Sequence, residues 1–264
     1  MTVLITLTTA GSDTGPFNLY SDIDGFVSAF EVNVPKTSLE AGYTSSLVPD
    51  GTFVVRVMSA NLLCTNYVDI QLIEVVETCG FTWMLKNLDV DTFRNGDPIP
   101  QITNAVDWLA AGAAGQPAWC YYNDDPANGP IYGKLYNWHA AVDPRGIAPF
   151  GFHVPNNEEW DAYIACIGGI SVAGGKMKEP GTTHWIAPNT ASGSEHWMGL
   201  PGGNRGWGDG MFDTLGTVGF FWSTTPSNTS PATNAYRYAL YNSLAVSKAK
   251  PSNIYGFSIR CLKD

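Results

Sequence analysis

Positive charge is scarce in this chain: Lys and Arg total 14 against 24 Asp and Glu, a formal net charge of −10. Such a balance gives no counterion-release route to nucleic acid and is repelled by anionic membranes, so neither is expected as a partner. Long apolar runs are also missing, and none approaches the roughly 20 residues that a helical membrane span needs. The opening "MTVLITLTTAGSDTG" has no cationic segment and no apolar core ending at a cleavage site. It reads as a strand that begins at once, not as an export signal, and synthesis in a cytoplasm is the expectation. Cysteine is sparse and odd in number (Cys64, Cys79, Cys120, Cys166, Cys261), with no CxxC spacing. That argues against a thiolate zinc site and leaves at least one thiol unpaired within the chain.

Apolar and aromatic residues, at 44% and 12%, are plentiful enough for a buried core, so a disordered chain is excluded. Glycine (28), proline (17), Asn, Ser and Thr favour short strands and many turns over long surface helices. Residues 1–76 alternate β-branched and aromatic runs ("VLITLTTA", "FNLYSDI", "FVSAFEVNV", "FVVRVMSA", "NYVDIQLIEVV") with turn signals such as "PDG" at 49–51. A small all-β sandwich or barrel is expected there, with "ETCG" at 77–80 as the boundary. From Thr82 the texture changes. "TNAVDWLAAGAA" (103–114) and "PNNEEWDAYIACIGG" (155–169) place apolar residues at helical spacing after an Asn or Thr cap. Both end on glycine, and only loops and short strands follow the second, so residues 80–264 are expected to be α+β.

Few residues are arranged for chemistry. "GGNRGWGDG" (202–210) lacks the GxxxxGK[ST] phosphate loop and has no strand–GxGxxG–helix frame around it. The oxygens of "NDDP" (123–126) and Asp209 are too scattered to define a cation cage. His139, His153, His184 and His196 sit in separate motifs, and no spacing suggests a catalytic triad or a carboxylate pair. No catalytic residue, metal or cofactor is therefore expected, and the chain reads as a non-enzyme. "PSNTSPATNAYRYALYNSLAVSKAKPSNIYG" (226–256) is different: it is dense in Tyr, Asn and Ser, the composition of adaptable recognition surfaces. The candidate ligand-binding residues are Trp207, Tyr236, Tyr238, Tyr241, Asn242, Asn253 and Tyr255. Alternation puts Tyr236 and Tyr238 on one strand face and Tyr241 on the other.

Five ordered segments, "TWMLKNLD", "YGKLYNWHAAVDPRGIAPFGFHVPNNEEWDAYIACIGG", "AGGKMKEPGTTHW", "MGLPGGNRGWGDGMFDTLGTVGFFWSTT" and "YGFSIRCLKD", resemble the major paralogous domain family first noted in Fibrobacter. The resemblance covers about residues 80–264 and implies a C-type-lectin-like fold. It implies that Cys166 and Cys261 come together, either as a disulfide or as a reduced buried pair. It also implies that Trp83, Trp138, Trp160, Trp197 and Trp222 are buried. Lectins of that fold that bind sugar through calcium carry EPN- or QPD-type loops and a WND-type strand. Here only "EPG" (179–181) stands near such a loop, so calcium-dependent sugar binding is not expected. The formylglycine-generating enzymes share the general fold, but their reactive cysteine pair has no visible counterpart.

Residues 1–76 ("ITLTTAGSDTGPFNLYSDIDGF", "SLVPDGTFVVRV") resemble β modules at the start of structural proteins of Bacteroides-infecting, crAss-like phages. The two resemblances together imply a virion fibre or decoration protein assembled in the host cytoplasm. Residues 1–76 would dock on other virion proteins, and residues 80–264 would face a host glycan or protein. A homotrimer is implied by the same resemblance. Two alternatives are a structural decoration protein without a ligand and a bacterial surface adhesin.

Overall fold

The structure is a computed structural model that describes residues 3–7, 13–21, 24–49, 52, 54–61, 64, 66–149, 151–230, 232–241 and 243–264. The chain divides into two compact units, 1–73 and 74–264. In the first, β1 (Val3–Ile5) pairs antiparallel with β4 (Tyr43–Ser45). An antiparallel sheet forms in the order β3 (Ala29–Val34), β2 (Phe17–Ser21), β5 (Val54–Ser59), β6 (Tyr67–Gln71). Period-two alternation explains the packing: Val55 and Val57 of β5 enter the core with Leu19, Val34, Ile5 and Leu39, while Val54, Arg56 and Met58 face outward.

On that outward side the Arg56 guanidinium lies 3.9 Å over Phe26 and 3.6 Å over Tyr67. Its Nε and Nη2 donate to both Asp69 oxygens at 2.7 and 2.8 Å, which pins β5 against β6. Two expectations need correction. Among the described residues no barrel closes, because β3 and β6 remain as edges. The unit is not purely β either: Pro35 fixes the entry to α1 (Lys36–Ala41), which buries Leu39. The "PDG" turn lies outside the described residues, since Asp50 and Gly51 are not among them.

The second unit is α+β, with short strands and few helices. Its main sheet has the order β11 (Phe152–His153), β17 (Leu262–Lys263), β8 (Phe81–Met84), β7 (Val75–Thr78), so its first hairpin lies beside its last strand. "ETCG" is the turn of the β7–β8 hairpin and not a linker; the division falls at Ile73/Glu74. A second sheet orders β14 (Gly219–Pro226), β15 (Ala235–Leu240), β16 (Val246–Ala249). Two two-stranded ribbons complete the β structure: β9 (Trp119–Cys120) with β10 (Leu135–Tyr136), and β12 (Asn204–Arg205) with β13 (Phe212–Asp213).

Helix α2 (Ala105–Ala113) starts at Asn104, whose side chain accepts from the Val106 and Asp107 amides. The short helices α3 (Gly129–Tyr132) and α4 (Trp138–Ala141) follow. Helix α5 (Asn157–Cys166) opens with a full capping box between Asn156 and Glu159, and α6 (Ala173–Met177) is one short turn further on. Trp160, Tyr163 and Ile164 of α5 pack with Trp83, Trp185, Trp197, Phe221 and Tyr238 in one core.

Trp83, Trp160, Trp197 and Trp222 are fully buried. Trp138 is only half-buried, its indole donating to the Ser223 carbonyl at 2.9 Å, and Trp108 and Trp185 are buried tryptophans that the sequence reading passed over. The disulfide also differs from expectation: Cys166 bonds Cys79, and Cys261 is a buried free thiol. Strand alternation supplies the reason. Leu262 points into the α5 core, so its neighbour Cys261 faces away from α5, whereas Cys79 in the β7–β8 turn meets the helix end.

The irregular stretches are held by buried cations that donate to carbonyl oxygens. Arg260 donates to Asn87 Oδ1, the Leu85 carbonyl and the Trp197 carbonyl, all within 3.0 Å. Arg205 binds the Ile102, Thr103 and Gly210 carbonyls, and Lys178 binds those of Tyr241 and Ser243. Glycine serves the same loops: Gly203 has φ +65°, and a Cβ there would stand 2.6 Å from the Asp213 carbonyl oxygen.

Residues 74–264 are expected to fold alone, with dispersed amide NMR signals and a cooperative melt. A fragment starting at residue 80 lacks β7 and Cys79 and should melt well below it. Equal melting temperatures would show that the hairpin adds nothing to the unit.

Candidate functional site

Three separate parts of the second unit, with His139 of α4 beside them, meet at one pocket of about 840 Å³. The C-terminal end of α2 supplies Gly112–Gly115. It is seated on the 251–255 segment because Trp108 Nε1 donates to the Ile254 carbonyl at 2.8 Å. Gly112 has to be glycine in this seat, since a Cβ would stand 2.9 Å from the Ile254 side chain. Residues 232–234 and 251–255 form the second part, tied together by Ala235 N–H to the Pro251 carbonyl (3.1 Å) and Asn253 N–H to the Thr233 carbonyl (2.7 Å).

Trp207 is the third part. The Arg205 and Gly256 backbones exchange hydrogen bonds at 2.9 and 3.0 Å, which sets the Trp207 loop beside Tyr255. Trp207 is 53% exposed and, like Tyr255, lines the pocket. Tyr255 stacks on Phe257 (5.0 Å, 17°), which stacks in turn on Phe220 (4.9 Å, 18°), so the rim rests on a rigid aromatic ladder.

Among the described residues the lining carries no Lys, Arg, Asp or Glu. Its one titratable nitrogen base is His139, which burial holds below the usual histidine range and whose Nε2 lies 3.1 Å from the Gly112 carbonyl oxygen. At the floor Asn253 is only 2% exposed, and its Oδ1 has no hydrogen-bond partner among the described residues.

Of the seven residues singled out from the sequence, Trp207, Asn253 and Tyr255 line this pocket. Tyr238 does not reach a surface: it is buried, stacked on Trp160 at 4.8 Å, with its hydroxyl donating to Asn157 Oδ1 at 2.6 Å. Tyr236 is half-buried beneath the Lys248 and Lys250 ammonium groups, and Tyr241 is half-buried edge-on to Phe220. Asn242 lies outside the described residues. The sequence reading missed the end of α2, His139, Thr233 and Ser252. Only the glycine that ends "AVDWLAAGAAG" hinted at the first of these, and nothing in the one-dimensional pattern joined it to residue 253.

Two other histidines belong to local networks: His153 bridges Glu159 and Asp264 at 2.8 Å each, and His184 lies 2.9 Å from Glu179. Burial pushes the Cys120 and Cys261 thiols up to about 12, which keeps them protonated at neutral pH. Among the described residues there is no group of three or more His, Cys, Asp or Glu side chains placed to hold a metal ion.

The sequence matches the family described as the Fibrobacter succinogenes major domain over residues 76–263. No curated protein and no solved structure matches the chain.

Proposed function

We propose a ligand-binding role on a phage particle, starting from the fact that the chain belongs to the Fibrobacter succinogenes major domain family. In this reading the second unit is a C-type-lectin-like domain that presents its pocket to a host-surface glycan or protein. The first unit docks on other virion proteins, and the assembled protein is a homotrimer. Support for the lectin-like assignment comes from α5 packed behind a sheet in which the first hairpin lies beside the last strand. A long irregular stretch held by buried cations then carries the binding face. One observation carries the binding role: an open, uncharged pocket with an exposed tryptophan at its rim and an unpartnered buried amide oxygen at its floor.

Full-length protein incubated with Bacteroides cells, with and without EDTA and over a salt series, tests the reading. Binding is expected to persist in EDTA and to change little with salt, because the lining is uncharged. Trp207→Ala should weaken it by about 2 kcal/mol, roughly 30-fold, as for an exposed aromatic anchor. Failure to bind any host would favour the structural decoration protein without a ligand. Loss of binding in EDTA would point to a metal site instead.

A further inference from the structure

Asn253 is the anomaly in this pocket. Its backbone N–H and carbonyl are both used, by the Thr233 carbonyl at 2.7 Å and the Trp138 amide at 3.1 Å, and its Nδ2 donates to the Ala232 carbonyl at 3.4 Å. Only Oδ1 is left bare among the described residues, in a side chain that is 98% buried by its 2% exposure. Turning the amide over gives no relief, since Oδ1 would then oppose the Ala232 carbonyl oxygen. A buried acceptor without a donor is destabilising; Oδ1 itself is closed off, but Asn253 lines the pocket, so a donor entering there reaches it by a small opening of that lining.

Charge narrows what that donor belongs to. Among the described residues the lining holds no cation to attract a carboxylate, sulfate or phosphate and no carboxylate to attract an amine. The rim residues Ala113–Gly115 stand at the negative end of the α2 dipole, which disfavours an anion further. Backbone pairing narrows it again. Asn253, Ala235 and Gly256 already use their amides within the protein, so a peptide finds no free strand edge to extend. What the site offers is one deep acceptor, the Thr233 and Ser252 side chains, and the exposed apolar face of Trp207.

We propose, resting on the binding role above, that the pocket takes a neutral saccharide unit whose ring stacks on Trp207 and whose hydroxyl donates to Asn253 Oδ1. A pyranose has an apolar C–H face and a rim of hydroxyls, which is the complement of this lining. Calcium takes no part in the contact.

The test is saturation-transfer NMR and calorimetry on the full chain. The panel is neutral hexoses, deoxyhexoses, N-acetylhexosamines and their disaccharides, with N-acetylneuraminate as the anionic control. At least one neutral sugar should receive saturation at its ring C–H protons, unaffected by EDTA. Its Kd should rise 10-fold or more in Trp207→Ala and return to within about 3-fold in Trp207→Phe, which keeps an aromatic face. Asn253→Leu should abolish the deep contact. Because that variant could fail to fold, wild-type protein is also titrated with single-deoxy analogues, and one of them should bind 10-fold more weakly. Preference for N-acetylneuraminate, or neutral binding indifferent to Trp207→Ala, overturns the proposal. If no saccharide binds while Trp207-dependent attachment to cells persists, the ligand class is wrong and the binding role stands. If neither is seen, both fall.

Discussion

Trp160→Ala is expected to lower the stability of residues 74–264 by about 3–5 kcal/mol, the range for removing a large buried aromatic side chain. Trp160 is fully buried on α5 and lies face to face with Tyr238 (4.8 Å, 17°). It also touches Trp83 at 4.8 Å, Trp197 at 5.9 Å and Phe221 at 6.2 Å between ring centroids. These neighbours come from different elements, so the hole left by alanine cannot be closed by one side chain turning. Trp160→Phe should lose much less, because it keeps a ring in the stack and deletes an indole N–H that has no partner among the described residues. Urea unfolding of the isolated unit measures both. A loss below about 1 kcal/mol for the alanine variant would mean that α5 is held by something other than this face.

Cys79→Ser is expected to cost a similar amount, about 2–5 kcal/mol under oxidising conditions, because the Cys79–Cys166 bond closes a loop with a sequence separation of 87. The chain-entropy relation gives the upper part of that range for so long a loop. Dithiothreitol should move the wild-type melt toward that of Cys79→Ser and leave Cys79→Ser itself unmoved. Cys261→Ala, at a buried free thiol, should leave the reductant response intact. A wild-type melt indifferent to reductant, or a response that disappears with Cys261→Ala, would contradict this pairing.

Local signals were legible where one segment decides its own structure. "PNNEEW" signals an Asn-capped helix start, and the structure completes it as a capping box on Asn156 and Glu159. The glycine-rich run 200–225 is packed structure and not a linker: it holds β12, β13 and most of β14, with Phe221 and Trp222 buried. The disulfide was not legible, because its partner depends on which side of a strand Cys261 faces, a matter of pairing with Trp83 nearly 180 residues away. Tyr238 was misplaced for the same reason: a tyrosine-rich strand reads as a recognition surface until a helix is packed on one of its faces. The pocket needed still more, since α2, His139, Trp207 and the 232–234 and 251–255 segments meet only after Arg205 has gathered the carbonyls of residues 102, 103 and 210. A lone arginine in a glycine run gives no sign of three backbone partners.

The place of β17 beside β8 has a mechanical consequence. β7 and β17 both run antiparallel to β8, so they run parallel to each other on either side of it. A pull applied between residues 74 and 264 therefore acts along the strands in opposite senses. The hydrogen bonds that join β8 to its two neighbours are loaded in shear and must yield together, instead of peeling one at a time. The Cys79–Cys166 bond fastens the far end of β7 to α5, which stops the hairpin from sliding out under the same load. A unit strung this way resists tension between its ends better than its short strands suggest, and chemical reduction is the point at which that resistance should fall.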